Sequence, residues 1–225
     1  MKKLQYIKTG FILAVATLVI GCQSIDTPPV SPEGMQLNHN TRSTIEYRKE
    51  GVNFADYSKV QFAPSTVAFK NNWQRDYNRN QASLSSRIKD KDVVRIKEAV
   101  KVLLEETFKA EFGKEADYPI VEHATADTLL LKPSIIDLDV NAPDIMTATN
   151  RRTYVDEAGQ ATLFLEIYDA VSGEILVRIT DTKTVGDNHG FHQWANRVTN
   201  TADAKRVIKK WAKSLRTKFD QVHTK

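Results

Sequence analysis

Two short constellations carry residue types at spacings that could do chemistry. His189-Gly190-Phe191-His192 sets two imidazoles three residues apart with Asp187 nearby, a pattern able to share one metal ion. A catalytic zinc takes three protein ligands, and the sequence designates no third. The competing reading is a solvated polar loop, and it is the one adopted. Asp137 and Asp139 alternate with Ile136 and Leu138, so in a strand both carboxylates would share one side. Paired acids can run glycoside hydrolysis, but the same alternation describes the wet face of a half-buried strand. Asp169 and Asp181 flank a turn and read as turn caps. No Gly-rich phosphate loop, nucleophile elbow or HExxH stretch occurs. The expectation is a chain that is not an enzyme and needs no cofactor. A periplasmic hydrolase or metal-dependent enzyme using His189 and His192 stands as the alternative.

Charge singles out a third feature. The chain has 225 residues, 32 Lys+Arg, 28 Asp+Glu and a formal charge of +4. Residues 200–225 alone hold eight basic residues against Asp203 and Asp220. Lys205, Lys209, Lys210, Lys213 and Arg216 recur there at helical spacing, off the stripe Ile208, Trp211, Leu215, Phe219 and Val222. Such a helix buries one side and presents cations on another. The sharper reading sets that face against anionic lipid or an acidic envelope protein, each basic residue near such a surface contributing about 1 kcal/mol. The plainer reading is an ordinary solvated face.

The N-terminus says where these groups would act. Lys2, Lys3 and Lys8 precede the apolar run FILAVATLVI, and Gly21-Cys22 follows. A basic start, an apolar core and a small residue before the break make a secretory signal peptide. A core of about ten residues falls short of the roughly 20 apolar residues that a membrane span needs. Cys22 is the only cysteine of the chain, which excludes internal disulfides and multi-thiolate zinc sites. Val19-Ile20-Gly21-Cys22 resembles the lipobox of bacterial lipoproteins. That resemblance implies cleavage after Gly21, acyl chains on Cys22 and, with Gln23 following, attachment to the periplasmic side of the outer membrane. Export makes nucleic acid an improbable partner. Removing residues 1–21 discards three lysines and no acid, so most of the apparent basicity belongs to the signal.

Three segments follow: a signal peptide over 1–21, a lipidated and disordered tether over 22–45 rich in proline and small polar residues, and one domain over 46–225. Within the domain, residues 59–69 read as extended, with Pro64 at an edge or bulge. Residues 92–112 form an amphipathic helix on Val93, Ile96, Val100, Leu103, Leu104, Phe108 and Phe112, stopped at Gly113. A strand follows over 127–139, broken at Pro133. Residues 162–168 and 175–185 form a hairpin around Gly173, and residues 202–222 form the last helix. Trp73 and Tyr77 fall in a polar run over 70–81, either a recognition loop or, for Trp73, a core contact. The fold class is α+β: a mainly antiparallel sheet with two amphipathic helices packed on one face.

Gly51-Val52-Asn53-Phe54, Tyr57 and Val60, then Ala126-Asp127 with Leu129 and Leu131, then Asp169, Gly173-Glu174, Leu176, Arg178 and Asp181 resemble the lipoprotein family known as domain of unknown function 3313. The likeness covers about residues 46–222. It implies a bacterial lipoprotein with one periplasmic domain and no assigned activity.

Overall fold

A computed structural model describes residues 27–114, 118–143, 153–155, 157–186 and 193–223. Hydrophobic alternation builds the sheet. Among the described residues, nine strands run in chain order: β1 (Gln36–Asn40), β2 (Thr44–Arg48), β3 (Lys59–Phe62), β4 (Val67–Phe69), β5 (Thr128–Val140), β6 (Thr153–Val155), β7 (Gly159–Asp169), β8 (Ile175–Val185) and β9 (Gln193–Ala195). The same residues form three α-helices: α1 (Trp73–Arg79), α2 (Asp90–Phe112) and α3 (Arg197–His223). The main sheet has the order β1-β2-β8-β7-β5-β3, with β4 also on β5; β6 and β9 form a separate ribbon. All main-sheet pairs are antiparallel except those of β3 and β4, which run parallel to β5. A parallel pair needs a crossover, and α2 supplies it.

Residues 162–168 and 175–185 do form a hairpin. The Asp169 carboxylate accepts from the Val171 and Ser172 amides at 3.0 and 2.7 Å, and Gly173 takes φ +71°, the left-handed turn position. The helix expected over 92–112 begins at Asp90, and the Asp92 carboxylate accepts the Lys89 backbone N–H at 3.1 Å. Leu129, Leu131, Ile135, Leu163, Leu165 and Ile167 face a core closed by Leu104, Phe108 and Phe112 of α2 and Ile208, Trp211, Leu215 and Phe219 of α3. The two amphipathic helices thus share one face of the sheet, as their periodicity requires.

Three local readings change, and the open choice for Trp73 is decided. The strand β5 passes through Pro133 unbroken. Ala63 donates to the Leu131 carbonyl and Ile135 to the Thr66 carbonyl, so Pro133 sits opposite the gap between β3 and β4 where Pro64 lies and no ladder N–H is needed. The alternation around Asp137 fails because Asp137 takes φ +51° in a bulge between Ile136 and Asp139, shifting the core-facing positions from Leu131 and Ile135 to the buried Leu138 and the half-buried Val140. Opposite it, a Cβ on Gly159 would lie 2.0 Å from the Asp139 carbonyl oxygen, so only glycine fits. The run over 70–81 contains α1, and Trp73 is a core residue: it stacks on Phe69 at 4.0 Å and donates to the Val140 carbonyl at 3.1 Å. Finally, of the stretch expected to be a tether, residues 27–45 already belong to the domain. Met35 is 1% exposed, β1 lies within that stretch, Tyr47 Oη donates to the Pro28 carbonyl, and Arg178 binds Glu33 through both guanidinium ends.

Candidate functional site

α2 and α3 lie alongside each other and run the same way, and their two ends differ. At the C-terminal end they are sealed. Phe219 makes edge contacts at 5.5 Å with both Phe112 and Tyr118, and Arg216 lies 4.6 Å over the Tyr118 ring. Arg216 also donates to the carbonyls of Phe112 and Lys114 at 3.2 and 3.1 Å and to Asp220 at 2.8 Å. The His223 ring reaches the Tyr57 carbonyl at 2.9 Å, and Tyr57 donates to Asp169 at 2.9 Å, so the end of α3 is tied to the hairpin turn. Burial and the Asp169 charge push the Tyr57 hydroxyl up to about 12. The Ser172 amide, ahead of the Tyr57 hydroxyl, holds Asp169 below the usual carboxylate range.

At the N-terminal end the helices part over an apolar cleft of about 270 Å³. Ile96, Ala99 and Leu103 line one wall, Ala204, Ile208 and Trp211 the other, with Leu138, Ala161 and Val185 as the floor. A sealed void of that size would cost about 6 kcal/mol at ~24 cal/mol per Å³, comparable to a whole domain's stability. The space is instead open at the surface, where Val102 is 42% exposed. Alanine at 99, 161 and 204 keeps it open. Arg95 and Glu106 stand at its rim, and Asp139, also on the lining, is engaged by Lys70 at 2.9 Å.

The sequence-derived candidates fall out unevenly around this cleft. Lys205, Lys209, Lys210 and Lys213 are exposed along the outside of α3, and no described carboxylate lies within ion-pair distance of them. Arg216 does not belong with them. It is 7% exposed and spent on the backbone carbonyls that seal the helix pair, so it offers no charge to a surface. Asp181 is no turn cap either: it stands inside β8, buried, accepting Trp211 Nε1 and Thr44 Oγ1, both at 2.6 Å, and pairing with Lys183. Asp169 does cap its turn. Of the two acids considered for chemistry, Asp137 is exposed at the bulge and Asp139 is engaged by Lys70, while Asp169 and Asp181 are engaged in structural contacts. Cys22, with cleavage after Gly21, and the pair His189 and His192 lie outside the described residues. Among the described residues, no three His, Cys, Asp or Glu side chains gather as a metal site. Sequence reasoning missed the cleft itself, because its walls come from distant Ala, Val and Ile positions that look like any core stripe.

α3 lies over β8 and β2, bound to them through Trp211–Asp181 and through Lys218, whose ammonium meets Glu46 at 2.5 Å. The chain enters the fold at the same edge, where Pro28 is held by Tyr47 of β2. From Cys22 to Thr27 the backbone takes five residue steps, a reach of at most ~18 Å.

No curated protein matches the chain. Among solved structures it is similar to the PelC dodecamer from Paraburkholderia phytofirmans, at 15% identity over 73% of this chain and 93% of that one, with a TM-score of 0.34. It is also similar to protein XCC0632 of the DUF330 family from Xanthomonas campestris, at 7% identity over 71% of this chain and 81% of that one, TM-score 0.38. The family described as "Protein of unknown function (DUF3313)" matches residues 31–215, and the chain belongs to that family.

Proposed function

We propose that this protein is a lipid-anchored cell-envelope lipoprotein, acylated at Cys22 after cleavage behind Gly21, and that its domain is a non-enzymatic binding module on the periplasmic face of the outer membrane. The apolar core over 11–20 and the lone cysteine directly after it support the anchor. The observation that carries the binding role is the helical layer, which combines an open apolar cleft with the exposed cations Lys205, Lys209, Lys210 and Lys213. The short connection from Cys22 and the position of α3 over β2 support an anchor on the same edge of the domain as the cations, from which the domain can tip onto an anionic leaflet along α3. Each lysine near such a surface contributes about 1 kcal/mol before salt screening.

Vesicle binding by residues 27–225, without any lipid, tests the surface contact. Phosphatidylglycerol vesicles should bind and phosphatidylcholine vesicles should not, with binding lost in high salt and on changing Lys209, Lys210 and Lys213 together to Glu. Equal binding to both vesicles rules the contact out. The anchor is tested by intact mass: protein from the membrane fraction should begin at an acylated Cys22, and any other start sinks it.

A further inference from the structure

We propose that the cleft between α2 and α3 binds a single medium-chain fatty acid, its hydrocarbon between the helices and its carboxylate at Lys205. The inference rests on the helical layer being the ligand-facing side, and deepens that reading by naming the ligand.

Volume sets the chain. An apolar cavity of about 150 Å³ houses benzene, six carbons, so ~270 Å³ accommodates roughly eleven carbons. One chain of about ten carbons fits; the two chains of a phospholipid do not. Chemistry sets the orientation. The walls carry mainly aliphatic and alanine side chains plus Trp211, whose indole N–H is already given to Asp181. Between these walls a ligand meets dispersion and water exclusion, the polar lining residues being Arg95, Glu106, Asp139, Asn200 and Thr201. Charge complementarity sets the head group. Thr201, Ala204 and Ile208 line the cleft, and the exposed Lys205 follows Thr201 by four residues and precedes Ile208 by three on α3, which sets it beside that lining; the lining cation Arg95 is paired with Asp92 at 3.5 Å. The remaining exposed lysines extend that positive strip outward, so an anionic head group meets cations as its tail enters. Two carboxylates share the lining. Asp139 is engaged by Lys70, and Glu106, counted back from the Phe112–Phe219 contact, stands level with Lys213, about two turns of α3 from Lys205.

The test uses the full chain in its own isolated membranes, labelled with decanoic acid carrying a terminal diazirine and mapped by mass spectrometry. Labels should concentrate on residues 95–106 and 200–211 and be displaced by unlabelled decanoate. Decan-1-ol, with the same tail and no charge, should compete about fivefold less well, the worth of one basic contact. Dioleoylphosphatidylglycerol should not displace the label. Ala204→Phe, which fills the space, should abolish labelling at an unchanged melting temperature. Should that variant fail to fold, Lys205→Glu, at an exposed position, keeps the test: decanoate should weaken at least about fivefold while decan-1-ol holds. Labels confined to other residues, equal competition by the alcohol, or displacement by the phospholipid would each overturn the proposal. Loss of vesicle binding with cleft labelling intact would fault only the membrane-surface reading.

Discussion

The sealed and open ends of the α2–α3 layer are made of the same helices over the same sheet, yet they solve opposite problems. Where Phe112, Tyr118 and Phe219 meet, rings fill the space between helices and Arg216 and His223 close the backbone carbonyls around them. About four turns earlier, Ala99 and Ala204 stand where rings would be needed, and the helices leave a mouth. Both ends are apolar. Side-chain size, not hydrophobicity, separates a structural joint from a receptive cleft, and charge differs as well: Arg216 is consumed at the sealed end, whereas Lys205 and Lys209 on the outside of α3 have no described carboxylate within ion-pair distance.

Substitutions should reveal that contrast in graded fashion. Phe219→Ala should cost about 3–5 kcal/mol in urea unfolding, since a buried ring is removed where nothing can collapse into its place. Asp181→Ala should cost about 1–3 kcal/mol by orphaning the buried Trp211 N–H, and combined with Trp211→Phe the two losses should not add. In acid, the tie between the sealed end and the hairpin turn should loosen. Asp169 has a depressed pKa in the fold, so its stabilisation is complete above the ordinary Asp value near 4 and is lost as pH falls below it. Asp169→Asn should flatten that acid limb in a pH series of melting curves. Ala204→Leu should stay within about 1 kcal/mol of the parent, because it grows into existing space; a loss matching that of Phe219→Ala would make the cleft ordinary core. Smallest of all, changing Lys209, Lys210 and Lys213 to Glu should move stability by no more than ~0.5 kcal/mol, as befits exposed positions whose role is external.

The sealed end is largely legible in the sequence. Helical periodicity marks both helices, and the Asp169–Gly173 turn marks the hairpin, because each feature is local and repeated. What escapes such reading is either non-local or poor in apolar residues. β1, Gln-Leu-Asn-His-Asn, is an exposed edge strand of the sheet, so its composition is that of a linker. Asp181 looks like a turn residue because its partners Trp211 and Thr44 are 30 and 137 positions away. Arg216 shares the spacing of the exposed lysines, and only the approach of the α2 terminus shows that it points inward. The cleft has no sequence signature, for an alanine facing a void and an alanine facing a neighbour look alike.

Methyl-resolved NMR during a decanoate titration tests most directly the claim that one end of the layer is receptive and the other closed. The methyl groups of Ile96, Val100, Val207 and Ile208 should shift saturably, while those of Leu129 and Leu215 stay in place. Equal shifts at both sets, or none at the cleft, would contradict it.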